Sequence, residues 1–391
     1  MPAYLDHAAS TPMRPEAIEA MLPWLRDHHA NPSGAHRPAR QARRAVDEAR
    51  DDVAEALGAD PGEIVFTGGG TEADNLAVLG GHDRRGGMLV ASAIEHPAVL
   101  EPVHSRAGRI VGVDARGVID LDALVAALDP EVTLVSVMLA NNEVGTVQPL
   151  DEVADHVRRL APAATLHTDA VQAMGWLDVV AASAPADLVS ISAHKVGGPK
   201  GMGALAVRRG TPLAPRQLGG GQERDRRGGT LDVAGIVALA TALRLTVEHR
   251  TATVARVGVL RDRLATGLLA AVPDAIETAA PDGDRSRLTA GICHLCIPGI
   301  ESEALLFLLE QGEVYASAGS SCASGAMEPS PVLAAMGVRR ELAFGSLRLS
   351  LGWCSTADDV DRALEVIPPA VARLRRFARR PAVAAATASP A

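Results

Sequence analysis

The chain has 391 residues, 47% of them hydrophobic, 22% charged and only 2% aromatic, with a formal charge of −9. That length exceeds one small domain and suffices for two domains sharing a core filled by Ala, Val and Leu. The negative balance excludes a general attraction to nucleic acid or anionic membrane, because neutralising phosphate needs a surplus of Lys and Arg.

Residues 1–7 have neither a basic start nor a long apolar stretch, so no secretory signal is expected. No apolar run reaches membrane-spanning length, and a cytoplasmic location follows as the expectation. Four cysteines, Cys293, Cys296, Cys322 and Cys354, are too few for a disulfide framework in a chain of this size, so a thiol is available for chemistry.

From residue 63 onward, apolar β-rich runs at 63–66, 88–90, 132–139, 165–167, 187–192 and 203–207 alternate with amphipathic helical stretches. This alternation predicts βαβ units on a mostly parallel sheet, with ligands beyond the carboxyl ends of the strands. Residues 232–272 read as helical and Arg-rich, leading to a second domain with strands at 291–298 and 346–351 and a helix at 303–311. A last helix is expected at 358–380. Its Arg373, Arg375, Arg376, Arg379 and Arg380 read as a solvated face, and 381–391 as a disordered tail.

Within the first sheet, the segment 66–75 closes a strand with Gly68, Gly69 and Gly70 and opens a helix with Thr71 and Glu72. Bare N–H groups at a helix start can hold a phosphate, and glycine permits close approach; a tight βα turn is the plainer alternative. The pattern is neither GxGxxG nor a P-loop. At 165–172 another strand ends on Asp169, suited to keeping a pyridine nitrogen protonated or to capping a helix.

Of 38 basic side chains only Lys195 and Lys200 are lysines. Arginine cannot replace lysine in imine chemistry, because a guanidinium does not lose its proton. Lys195 ends a strand in the polar segment Ser192-Ala193-His194-Lys195, whereas Lys200 reads as a turn residue.

Together these segments resemble the cysteine desulfurases of the class V aminotransferase family, the NifS/IscS type. The resemblance spans nearly the whole chain. It runs through Tyr4-Leu5-Asp6, Asn31-Pro32-Ser33 with His36, residues 70–75, Glu95-His96, residues 141–145, the Asp169 and Lys195 segments, residues 219–230, the Cys322 loop and residues 346–352. It implies a fold-type I α/β enzyme whose large domain has a mostly parallel seven-stranded sheet flanked by helices, with a smaller α+β domain. The expected division is 13–248 for the large domain, and 1–12 with 249–380 for the small one.

The resemblance further implies pyridoxal 5'-phosphate as cofactor, joined to Lys195 as a Schiff base. Asp169 would pair with the ring nitrogen, Gln172 with the ring hydroxyl, and His96 would stack on the ring with an acid/base role. Gly70, Thr71, Ser192 and His194 would hold the phosphate. Thr230 would reach it from a neighbouring subunit, implying a homodimer. Asn142 and Arg348 would grip the carboxylate of L-cysteine; from the alternation of 347–351 alone, Arg348 would face outward.

Cys322 lies in the small-residue stretch 316–326, a composition suited to a mobile loop, although free cysteines are commonly buried. Its implied role is to take the substrate sulfur as a persulfide and pass it to an acceptor. Ser320-Ser321-Cys322-Ala323-Ser324 resembles the IscS-like rather than the SufS-like group. Cys293 and Cys296 fall three apart on one strand, facing opposite sides, which argues against a metal or redox pair. Cys354 reads as structural. Gly70, Ala193 and Gly229 depart from common family choices without removing a reactive side chain.

Alternatives are a selenocysteine lyase, another class V lyase or aminotransferase, and a non-catalytic sulfur-relay scaffold. A protein acceptor in iron–sulfur cluster assembly, tRNA thiolation or DNA phosphorothioation is expected, with no direct nucleic acid or membrane partner.

Overall fold

The computed structural model describes residues 2–319 and 329–378. Seven strands form the central sheet: β1 (Ile64–Thr67), β2 (Met88–Ser92), β3 (Arg109–Val111), β4 (Val132–Ser136), β5 (Thr165–Asp169), β6 (Leu188–Ser192) and β7 (Gly203–Val207). Their order is β1-β7-β6-β5-β4-β2-β3. Only β7 runs against its neighbours, β1 and β6, while the other pairings are parallel.

Every residue of β1, β5, β6 and β7 is buried, which explains why these strands read as continuous rather than alternating apolar runs: both faces are covered. Ile64, Phe66, Leu166 and Val189 pack on one side with Val46 and Val53 of the helix Arg37–Leu57 and with Leu239 and Leu243. Val65, Leu134, Leu188 and Leu205 pack on the other with Leu76 and Val78 of the helix Gly70–Arg85.

The helix Val233–Ala271, 39 residues long, starts where Asp232 accepts the Gly235 N–H at 3.0 Å. Its first turns belong to the core of the seven-stranded sheet. Val257, Leu264 and Leu268 belong to a second core, with Leu295, Leu347, Leu349 and Ile367. That second core covers an antiparallel sheet in which Ile292–Cys296 lies between Ile276–Glu277 and Ser346–Ser350. The N-terminal segment joins it: Ala3–Tyr4 pairs with Val314–Tyr315, and Asp6 bridges to Ser350.

The expected strands and the helices beginning near 232, 303 and 358 are present, the last as Ala357–Ala378. The helices Pro15–Arg26 and Arg37–Leu57 and the edge strand β3 were not anticipated; β3 spans three residues and begins with arginine, too little for a β pattern. The expected tail at 381–391, with Arg379 and Arg380, lies outside the described residues. Among the described residues no helix is long and apolar enough to cross a membrane.

Candidate active site

Strands β5 and β6 end side by side, Asp169 in register with Ser190, and their carboxyl ends open onto a cavity of about 670 Å³. This is where a parallel sheet places its ligand. Lys195 follows β6 in a short 3₁₀ turn, Ala193–Lys195, and projects into the cavity. Its Nζ donates to the Ala8 and Ala9 carbonyls at 2.5 and 2.9 Å, so the N-terminal segment holds the amine in place. Lys200 is an exposed turn residue.

Asp169 shapes the turn after its strand and faces the cavity. Its Oδ1 accepts the Val171 N–H at 2.8 Å. Burial pushes the carboxyl up to about 6, opposed by that N–H and by the Lys195 charge, both of which favour the anion. Gln172 also lines the cavity, with its amide nitrogen donating to the Ala8 carbonyl at 2.7 Å.

His96 caps the helix Pro97–Ser105, where Nδ1 accepts the Ala98 N–H at 3.1 Å. The neutral ring therefore carries its hydrogen on Nε2. Burial, reinforced by the Lys195 charge, lowers its pKa and keeps it neutral. His194, on the cavity wall, is pushed down to about 4, mainly by burial.

Gly70 and Thr71, at the start of the helix Gly70–Arg85, and Ser192, at the end of β6, line the same cavity. The preceding Gly69 has φ +139°, a conformation that side chains other than glycine's rarely adopt. Glu72 fastens this turn twice, accepting the Gly68 N–H at 2.6 Å and pairing with Arg227 at 2.8 Å.

Asn142 and Arg348 line the cavity too. Arg348 is buried, which corrects the outward reading drawn from strand alternation: its strand is packed on both sides. Nη2 pairs with Asp6 at 2.8 Å and Nη1 donates to the Asn142 carbonyl at 3.0 Å, while Nε is unpartnered among the described residues. The neighbouring Asn141 shapes the turn, its Oδ1 accepting the Glu143 and Val144 N–H groups, each at 2.9 Å.

One described site candidate is not part of this assembly. Thr230 is exposed and does not line the cavity. Cys322 lies outside the described residues.

Of the remaining thiols, Cys293 and Cys296 are buried in different clusters. Cys354, read as structural, is exposed, because the turn after Gly352 carries it to the surface. Residues the sequence left without a role are Asp6, which holds Arg348, and Asp74, Glu95 and Glu143, which line the cavity. The run Glu95-His96 hinted at one of them.

Residues 3–363 match the model of the aminotransferase class-V family. The chain belongs to that family. Among class-V proteins, it is 46% identical to an IscS-like cysteine desulfurase of Mycobacterium tuberculosis, over 99% of this chain and 100% of the relative. A solved NifS-like protein superposes with a TM-score of 0.87 at 34% identity, covering 95% of this chain and all of that one. A second structure, of SspA in complex with cysteine, gives a TM-score of 0.76 at 31% identity, covering 90% of this chain and 100% of the other. The class-V fold accounts for the six co-directional strands and for an amine placed at their carboxyl ends.

Proposed function

We propose that this class-V protein is a pyridoxal-phosphate-dependent cysteine desulfurase, converting L-cysteine to L-alanine and leaving the sulfur as a persulfide on Cys322. The observation that carries the reading is the lining of one cavity, which brings together the Lys195 amine, the Asp169 carboxylate and the Arg348 guanidinium. The names of the M. tuberculosis relative and of the cysteine-bound SspA structure support the substrate.

The donor set fits the cofactor. A deprotonatable amine meets its aldehyde, a buried carboxylate its ring nitrogen, and a glycine-opened helix start with Thr71, Ser192 and His194 its phosphate. When bound, pyridoxal phosphate supplies an electron sink for the substrate's Cα and Cβ.

The chain's own residues do the rest. Asp169 would keep the ring nitrogen protonated, Gln172 would bond the ring hydroxyl, and His96 would help hold the ring, with its Nε2–H available as an acid. Arg348 and Asn142 bind the substrate carboxylate and orient its Cα–H toward Lys195, which moves the proton. The Cys322 thiolate attacks the substrate sulfur. The S–S bond forms as the Cβ–S bond breaks, and Cβ gains a proton to become the alanine methyl group.

A homodimer in which Thr230 serves the neighbouring subunit's phosphate site fits the exposed position of that residue, and Leu218, 82% exposed on the same loop, would be covered by such an interface. The two hydrophobic cores support a large domain at 13–248 and a small one at 1–12 and 249–380. We place the protein in the cytoplasm, handing sulfur to a protein acceptor. The test is Cys322→Ala: the yellow chromophore remains and persulfide formation stops. Undiminished turnover to alanine and sulfide without added thiol would falsify that role.

A further inference from the structure

Asp169 has company at the floor of the cavity. Asp74, on the helix Gly70–Arg85, and Glu95, in the turn after β2, line the same cavity, each only 2% exposed. Between them runs a row of buried polar side chains on one face of the sheet. Ser136 of β4 is in register with His167 of β5, and Asp169 of β5 with Ser190 of β6. His167 joins the row, with Nδ1 2.8 Å from Ser136 Oγ and Nε2 3.0 Å from Ser190 Oγ. Asp74 Oδ1 lies 3.7 Å from the same Nε2.

Asp74, Glu95 and Asp169 are buried within electrostatic reach of one another and cannot all be anions without strong mutual repulsion, so protons stay on those with least compensation. Asp74 Oδ1 and Glu95 Oε2 have no hydrogen-bond partner among the described residues. An anion left so costs far more than a neutral acid. Glu95 receives one N–H, from Met138 at 2.7 Å. His167 brings Asp74 no charge, since full burial drives the ring down to about 3. Asp169 has the Val171 N–H and the Lys195 charge. Of the other titratable groups lining the cavity, His96 and His194 are held neutral mainly by burial, Glu101 is exposed, and Glu143, raised by burial, has the Ser330 hydroxyl and the Arg348 charge against it. Burial raises Asp74 and Glu95 well above the usual range, helped by the neighbouring carboxylates and opposed by the Ser190 hydroxyl at Asp74 and by the Met138 N–H and the Ser136 hydroxyl at Glu95.

We propose that this floor holds one negative charge among three carboxyl groups: Asp169 is the anion, and Asp74 and Glu95 are neutral acids that act as positioning residues, confining the charge to the group beside the cofactor's ring nitrogen. This rests on the cofactor reading of Asp169. The linked serines and His167 fix the two acids in place, so the ring nitrogen meets a single, located counter-charge rather than a diffuse cluster.

The test combines infrared spectroscopy with a pH titration of the visible band, on the pyridoxal-phosphate-loaded wild type, Asp74→Asn and Glu95→Gln. The wild type at neutral pH shows carbonyl stretches of buried protonated acids above the amide band. Each substitution removes one of them and moves the midpoint of the visible titration by less than about 0.3 pH unit. Absence of such bands from the wild type overturns the proposal. So does a midpoint shift of about one unit or more in either variant, a tenfold change in proton affinity that signals the loss of a charge. If Asp74→Asn fails to fold, the wild-type spectrum and Glu95→Gln decide. A chain that takes up no pyridoxal phosphate sinks the cofactor reading separately, and the infrared comparison on the unloaded protein still decides where the protons sit.

Discussion

Arg348 and Asp6 are 342 residues apart in sequence and form a partly buried ion pair, Nη2 to Oδ1 2.8 Å. The pair fixes the guanidinium plane while Nη1 holds the Asn142 carbonyl. A lysine in its place keeps the charge and loses the planar, two-point grip on a carboxylate. Arg348→Lys is expected to raise KM for L-cysteine about 10- to 100-fold, the equivalent of one strong charge-assisted hydrogen bond. The visible spectrum should be unchanged. Steady-state kinetics checks it, and a KM within about twofold of wild type would discard the assignment.

Lys195 is expected to be the only residue that borohydride links to pyridoxal phosphate. Lys195→Ala and Lys195→Arg should both abolish the reduced adduct, since neither side chain offers a deprotonatable amine. Peptide mass spectrometry after reduction reads the outcome, and an adduct persisting in either variant rejects the cofactor assignment.

Glu223 makes two contacts with Arg50, at 2.6 and 2.9 Å, and accepts the Phe66 N–H at 2.8 Å, all buried. It begins three consecutive non-glycine residues with positive φ: +48° at Glu223, +57° at Arg224 and +63° at Asp225. Such backbone persists only when its surroundings over-determine it. Glu223→Ala leaves Arg50 buried without its partner, and a loss of about 3–5 kcal/mol is expected in denaturant unfolding. A loss under about 1 kcal/mol would show that the pair does not hold the loop.

Gly203 leaves no room for a side chain. A Cβ there would lie 2.6 Å from the Ile191 carbonyl oxygen and 2.7 Å from the Gly69 carbonyl carbon. Gly203→Ala is expected to cost about 1–3 kcal/mol and, by displacing the Gly69 turn, to weaken pyridoxal phosphate retention. Equilibrium unfolding and cofactor titration together check this; unaltered retention would separate Gly203 from the phosphate turn.

The thiols should differ sharply in reactivity. Burial pushes Cys293 up to about 12 and also raises Cys296, so neither presents a thiolate at neutral pH. Cys354 is exposed. Alkylation followed by mass spectrometry should modify Cys354 in the native protein, and Cys293 and Cys296 only in denaturant. Native labelling of Cys293 would contradict its burial.

Much of the fold was legible because the central strands are short, apolar and separated by helices, a pattern that local residues determine. Lys195 and Asp169 stood out because a nearly lysine-free chain keeps an amine at one strand end and a carboxylate at another. Contacts between distant segments were not legible. Nothing near Arg348 announces that Asp6 will neutralise it, and alternation alone turned it the wrong way because its strand is covered on both faces. Asp74 and Glu95 lay in motif segments, but nothing in the sequence said that they would line one cavity.

The helix Val233–Ala271 joins both hydrophobic cores in one uninterrupted rod, about 58 Å long at 1.5 Å per residue. A protease cut near residue 250 would leave each core its own half of the helix, residues 233–243 in the first and 257–268 in the second. The two pieces would still cling together, because Ala3 and Leu5 of the second core stay on the N-terminal fragment.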